Sequence, residues 1–178
     1  MSSERAVFHI VGAVIGGALF GLVASSIGTH VLSDVGVWSV LAIASLAVAI
    51  LAAARVRLPP RPVLRQVPPR LPAAIGLRSG SGVWGLQLGS GIGTYVPYRS
   101  FWLLTAALAA SSPPAALFAG GAFGLTRQSF SVFLARQHDQ RTVFSFLSTF
   151  AIHAARIDIA IIALTGTTAL VALALGEF

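Results

Sequence analysis

Residues 6 to 27, AVFHIVGAVIGGALFGLVASSI, run for 22 residues without a charged side chain. At ~1.5 Å per residue, a helix of that length covers the ~30 Å hydrocarbon core of a bilayer. Residues 36 to 54, 81 to 98, 101 to 126 and 159 to 175 are likewise free of charge. A chain so interrupted has too little polar surface to face water, and only 10% of its residues are charged, where a soluble domain carries about 25%. The expected fold class is therefore all-α: a polytopic membrane helix bundle of about five transmembrane helices, forming one integral membrane domain over 1–178 in contact with the lipid bilayer. The first run exceeds the ~7 to 15 residues of a signal-peptide core and reads as an uncleaved anchor.

The net charge of +7 comes from 12 arginines and no lysine. Five of them, Arg55, Arg57, Arg61, Arg65 and Arg70, share the stretch RVRLPPRPVLRQVPPRLP at 55–72 with six prolines, which exclude helix. The positive-inside rule places this loop and the amino terminus in the cytoplasm, and the carboxyl terminus outside, in a plasma (inner) membrane. The same arginines suit orientation or contact with anionic headgroups. Nucleic acid is excluded as a partner, because a phosphate-binding domain needs a solvated basic face. The absence of lysine suggests GC-rich coding and a bacterial source.

The chain has no cysteine, and its four histidines lie far apart, so thiol chemistry is excluded and a metal site has no support. No nucleophile and base pair stands out, and the expectation is a non-enzyme without cofactor or metal.

Small residues recur at four-residue steps: Ala13, Gly17, Gly21 and Ser25 in the first run, Gly85, Gly89 and Gly93 in the third, and Gly120 and Gly124 in the fourth. Each makes one helix face that admits a close neighbour, within the chain or in a second copy. On a helix continuous over 81–98, Gln87, Ser90, Thr94 and Tyr98 fall on another face and form a polar stripe that must point into the bundle. The fourth span is expected to be broken near its middle, at Ser111, Ser112, Pro113 and Pro114, because proline lacks an N–H and clashes with the preceding turn. A re-entrant hairpin is the rival geometry, disfavoured because it would leave Arg127, Arg136, Arg141 and Arg156 outside.

Residues about 128–155 carry Phe130, Phe133, Phe146 and Phe150 at helical spacing among arginines and serines, the pattern of an interfacial amphipathic helix. His9 reads as a solvated interfacial side chain. Asp158 reads either as a proton or cation acceptor or as an interfacial carboxylate near Arg156 or Arg127.

The run GLQLGSGIGTYVPY, followed by an alanine-rich span, a Ser-Pro break and AGGAFGLTR, resembles the membrane domain of the cytochrome c biogenesis and thiol-disulfide transporter family, part of a wider small-exporter superfamily. The resemblance covers residues 83 to 127. It implies a scaffold with a discontinuous helix, but the family's electron-carrying cysteine has no counterpart at Thr94, Tyr95, Val96 and Pro97.

Two functions follow as expectations. One is a non-catalytic integral membrane subunit or assembly partner, as a homo-oligomer or with a hetero-oligomeric membrane partner. The other is a small-solute or ion transporter working between the polar stripe and the broken helix.

Overall fold

The computed structural model describes residues 2–32, 36–54, 75–91, 99–136 and 140–176, without the side chains of 135, 136, 140, 142, 144, 147, 151 and 152. Of the described residues, 92% are helical and none is in a strand. The helices are α1 (Ser3–Val31), α2 (Val37–Ala53), α3 (Leu77–Ser90), α4 (Ser100–Ala110), α5 (Pro113–Arg136) and α6 (Gln140–Ala174). Two stretches are long and apolar enough to cross a membrane, α1 and the His153–Ala174 part of α6; α2 and α4 are shorter apolar helices.

α1 is the centre of the fold. Gly17 and Gly21 lie against the carbonyls of Gly120 and Ala116, and His9 meets Gln128, so α5 runs antiparallel to α1 on one side. On the other side Gly12 and Gly16 lie against Gly82 and Leu86, and Gly85 and Gly89 lie against His9 and Ala13, so α3 runs parallel to it. The Glu4–Arg78 ion pair keeps the same register at the helix starts. Without side chains between them, the backbones approach to van der Waals contact, the form of helix association that needs no hydrophobic driving force.

The expected span over 81–98 ends early. Gly91 takes a left-handed conformation at φ 72°, and its N–H bonds to the Leu88 carbonyl, a glycine C-terminal cap that stops α3 after Ser90. Gly93, Thr94 and Tyr98 lie outside the described residues, as do Arg55, Arg57, Arg61, Arg65 and Arg70.

The expected broken span over 101–126 is a helical hairpin instead. Phe101 meets Phe123 at 5.8 Å between ring centroids, and Leu108 shares an apolar cluster with Ala116, pairs arranged symmetrically about residue 112. A single kinked helix would hold Phe101 and Phe123 about 33 Å apart. The physical reason is the position of the prolines. Ser111 is extended and Pro113 is the first residue of α5, where its missing N–H and fixed φ cost nothing; it starts a helix rather than bending one. The Ser112 carbonyl accepts the Ala116 N–H at 2.9 Å as the first bond of the new helix.

The interfacial helix expected over about 128–155 is not a separate element. Its first part continues α5 to Arg136, and its remainder is continuous with the expected fifth span in the 35-residue α6. The apolar stripe that suggested it joins two helices: Phe130 lies 5.5 Å from Phe146 and 6.0 Å from Phe150.

α4 runs parallel to α1, with Phe101 stacked on Phe20 and Ala109 against Gly28. Both helices being parallel to α1, the end of α3 and the start of α4 lie beside the middle of α1. α2 and α6 form an antiparallel pair, with Ser45 at Gly166 and Val48 at Ile162, and rest on α4 through Trp102 and Leu103.

Two adjacent glycines give a sharp check of this packing. A Cβ on Gly120 would strike the Gly17 carbonyl, whereas a Cβ on Gly121 would make ordinary contact with Val14 and Ala18. Gly120→Ala is expected to cost about 1–3 kcal/mol, and Gly121→Ala to be neutral or stabilising by up to about 1 kcal/mol, as measured by equilibrium unfolding of the purified protein.

Candidate functional site

A helix end exposes backbone groups with no partner inside the helix, and carries about half a unit charge, positive at the amino and negative at the carboxyl terminus. The end of α3 and the start of α4 place one helix end of each sign beside α1. Each is met by a charged side chain from elsewhere in the chain. At the end of α3, Arg127 of α5 donates from Nη1 to the Leu88 carbonyl at 3.0 Å. At the start of α4, Asp158 of α6 accepts the Arg99 N–H on Oδ2 at 3.0 Å and the Ser100 N–H on Oδ1 at 2.8 Å.

These two contacts complete what the local sequence lacks. The residue preceding α4 is Arg99, whose side chain makes no capping bond, so the helix start takes its acceptor from a residue 58 positions away. Asp158 is only 7% exposed, and a buried carboxylate is tolerated because both its oxygens are engaged. Arg127 is half-buried with its guanidinium 5.9 Å from the Phe123 ring centroid. Phe101 closes the wall beside Gly91: a Cβ at Gly91 would overlap its ring and come within 3.8 Å of Arg127 Nη1. Gly91, Phe101, Phe123 and Arg127 thus lie together at the end of α3, and Asp158 at the start of α4.

No family model, no characterised protein and no solved structure matches the chain. The site is therefore read from its geometry alone.

Of the residues expected to line a solute path, Gln87 and Ser90 sit in the last turn of α3, half-buried and next to the break. Ser90 turns back on its own helix, its Oγ donating to the Gln87 carbonyl at 2.9 Å. Ser111, Ser112, Pro113 and Pro114 are not with them. They form the hairpin turn at the opposite end of α4, roughly 16 Å away along that helix. There Ser25, fully buried in α1, donates to the Ser111 carbonyl at 2.7 Å, and Ser111 Oγ donates to the Ala107 carbonyl at 2.6 Å. Two carbonyls at this turn, those of Ala107 and Ser111, are thus met by serine hydroxyls.

His9 is buried rather than solvated, at 7% exposed. Nδ1 lies 3.2 Å from the Ser81 carbonyl oxygen and Nε2 lies 2.8 Å from Oε1 of Gln128, with Trp84 edge-on at 5.9 Å. Gln128 is 1% exposed. The signal for this pair was present: His9 lies one step before Ala13 in the small-residue series, and Gln128 one step after Gly124. Among the described residues, no group of three or more histidine, cysteine, aspartate or glutamate side chains is placed to hold a metal.

The arrangement sets two helix ends of opposite sign near one another, an arginine on one and a carboxylate on the other. Asp158→Ala would leave two N–H groups at the start of α4 unpaired, and a stability loss of about 1–2 kcal/mol is expected. Arg156→Ala, at an exposed position two residues away, should stay within about 0.5 kcal/mol. Thermal unfolding of the two variants separates the outcomes.

Proposed function

We propose that the chain crosses a bacterial plasma membrane five times and carries a small polar solute or ion through the interruption between α3 and α4. The observation that carries this reading is that the end of α3 and the start of α4 are capped by Arg127 and Asp158 from two other helices. Irregular backbone inside a bilayer is tolerated where it is buried in protein or lines a cavity, and transporters place ion and substrate sites at such half-helix ends. Ionisable residues at membrane depth mark the same kind of site.

The surface supports the membrane part. Val7, Val11, Ile15, Leu19, Val23, Ile27 and Val31 form a four-residue series of large apolar side chains on the outside of α1, all of them exposed. It lies opposite the glycine face and suits lipid. The crossings are α1, α2, the α3–α4 pair, α5 and α6. This grouping removes the objection to a hairpin, since α3 and α4 together make one outward crossing and α5 returns in full. The amino terminus, the arginine and proline loop and the α5–α6 connection then share the cytoplasmic side. The likeness to thiol-disulfide transporters carries over only as a scaffold with a discontinuous helix.

A second reading, a non-catalytic subunit or assembly partner, is favoured by a separate observation. An apolar groove of about 460 Å³ lies between α2 and α6, lined by Ala42, Ser45, Ala49, Ala163 and Gly166 among others. The glycine faces of α1, α3 and α5 are occupied within the chain, so this is the small-residue face left for another helix.

Because the chain has no cysteine, single cysteines report sidedness cleanly. Ser3→Cys and Ser112→Cys are expected to react with an impermeant maleimide from opposite faces of the membrane, and labelling from one face would exclude the five-crossing arrangement. For carriage, proteoliposomes would be screened with gradients of sodium, potassium, amino acids and small carboxylates. Arg127→Gln and Gln87→Leu should each lower any flux by about tenfold, the equivalent of ~1.4 kcal/mol, while Gly121→Ala leaves it unchanged. Absence of flux for the whole panel, or flux indifferent to Arg127, would sink the carrier and favour the subunit.

A further inference from the structure

α6 is longer than a membrane requires. Its 35 residues extend ~52 Å, against ~30 Å of hydrocarbon, and the part apolar enough to cross is His153–Ala174. Residues 140–152 therefore form a helical arm of ~20 Å that precedes this part without a break. The arm touches α5 through Phe130, which lies 5.5 Å from Phe146 and 6.0 Å from Phe150. That contact covers the rings only in part: Phe146 is 43% exposed, Phe150 is 38% exposed, and Phe133 of α5 is 58% exposed.

At ~100° per residue, Phe146, Phe150 and Ile157 fall on one face of α6, and Ser145, Thr149 and Arg156 flank it on one side. All of them are exposed. Aromatic rings bordered by hydroxyls and a guanidinium suit the boundary between acyl chains and phosphates, the rings entering the first and the polar groups meeting the second. Charge selects the lipid. Over 136–156 the chain carries Arg136, Arg141 and Arg156 against one acid, Asp139, which makes this part of the chain complementary to an anionic surface. Resting on the membrane-crossing reading above, we propose that the arm and Phe133 form a docking face for anionic phospholipid headgroups of the cytoplasmic leaflet.

An acidic polypeptide offers the same charge, but position favours lipid. Phe150 precedes the crossing part by ~4.5 Å along the helix. A bilayer of ~40–45 Å overall leaves ~5–7 Å of headgroup on each side of its core, so this ring begins within that layer. Lipid is already at high local concentration there, whereas a soluble partner gives up translational freedom to bind.

The test exploits the absence of cysteine. Thr149→Cys carries an environment-sensitive fluorophore in the full chain, reconstituted into nanodiscs of phosphatidylcholine with increasing phosphatidylglycerol, and its accessibility is read with acrylamide, an uncharged quencher. Quenching should fall as phosphatidylglycerol is added and recover in high salt. Arg141→Gln and Arg156→Gln, both at exposed positions, should each raise the phosphatidylglycerol fraction that gives half the effect about fivefold, the equivalent of ~1 kcal/mol per arginine. Quenching indifferent to phosphatidylglycerol, or a response that survives both arginine changes together, overturns the proposal. So does shielding by soluble polyglutamate where phosphatidylglycerol gives none, which would assign the face to an acidic protein. A second label at Ala47→Cys, exposed on α2, reports the membrane-crossing reading separately and should be shielded in both lipids. A label at 47 open to the quencher retires the crossing of α2, and a lipid response at 149 would still support the headgroup face. Shielding at 47 with no lipid response at 149 retires the headgroup face alone.

Discussion

The closeness of α1 to its two neighbours sets most of the geometry in this protein. A helix bearing glycine on one face can meet another backbone directly; here α1 does so on two faces, with α5 through Gly17 and Gly21 and with α3 through Gly12 and Gly16. Contacts of this kind admit few alternatives. Moving a helix by one turn sets a side chain against a carbonyl, and the partner glycines Gly85, Gly89, Gly120 and Gly124 fix the register from the other side. The two buried polar links of α1, His9 with Gln128 and Ser25 with Ser111, fall along the α5 side of this seam at its two ends. Their alternatives, in a medium without water, would be unpaired polar groups.

With α1, α3 and α5 packed together, the point where α3 ends and α4 starts has a definite place. It lies alongside Phe20 and not at the hairpin turn, because Phe101 is stacked there and Gly91 meets the same ring. The ends it creates cannot be satisfied by water if the surroundings are apolar, which gives a physical reason for charged residues so deep in an otherwise charge-poor chain. Arg127 reaches one end from the locked group and Asp158 reaches the other from α6. Thiol–disulfide chemistry is excluded, the chain having no cysteine.

Much of this was legible in the residues, and the failures have physical causes. The all-helical character and the glycine faces follow from apolar runs and four-residue spacing. The end of α3 is hidden because the four-residue glycine series runs on from Gly89 to Gly93 past Gly91, and spacing does not reveal the left-handed φ of Gly91. The Pro113–Pro114 pair reads as a break within one span because the same steric rule governs a proline that interrupts a helix and one that begins a helix; only the pairing of Phe101 with Phe123 tells them apart. The aromatic stripe over 128–155 has the periodicity of an interfacial helix, but periodicity does not say whether its apolar face meets lipid or another helix. Asp158 was visible as an acid beside a span, yet its partners are backbone N–H groups, which no side-chain pattern announces.

The two groups of helices also differ in how they are held. α1, α3 and α5 meet backbone to backbone, while α2 and α6 meet across a groove in which Ser45 Oγ, although buried, has no hydrogen-bond partner among the described residues. The α2–α6 pair is joined to the rest through α4, by the apolar contacts of Val48, Leu103 and Ile162 and by the Asp158 cap. α4 thus joins the α1, α3 and α5 group to the α2–α6 pair. The Asp158 cap gives that junction a fixed register, since apolar contacts slide at small cost whereas a bidentate cap is either made or lost.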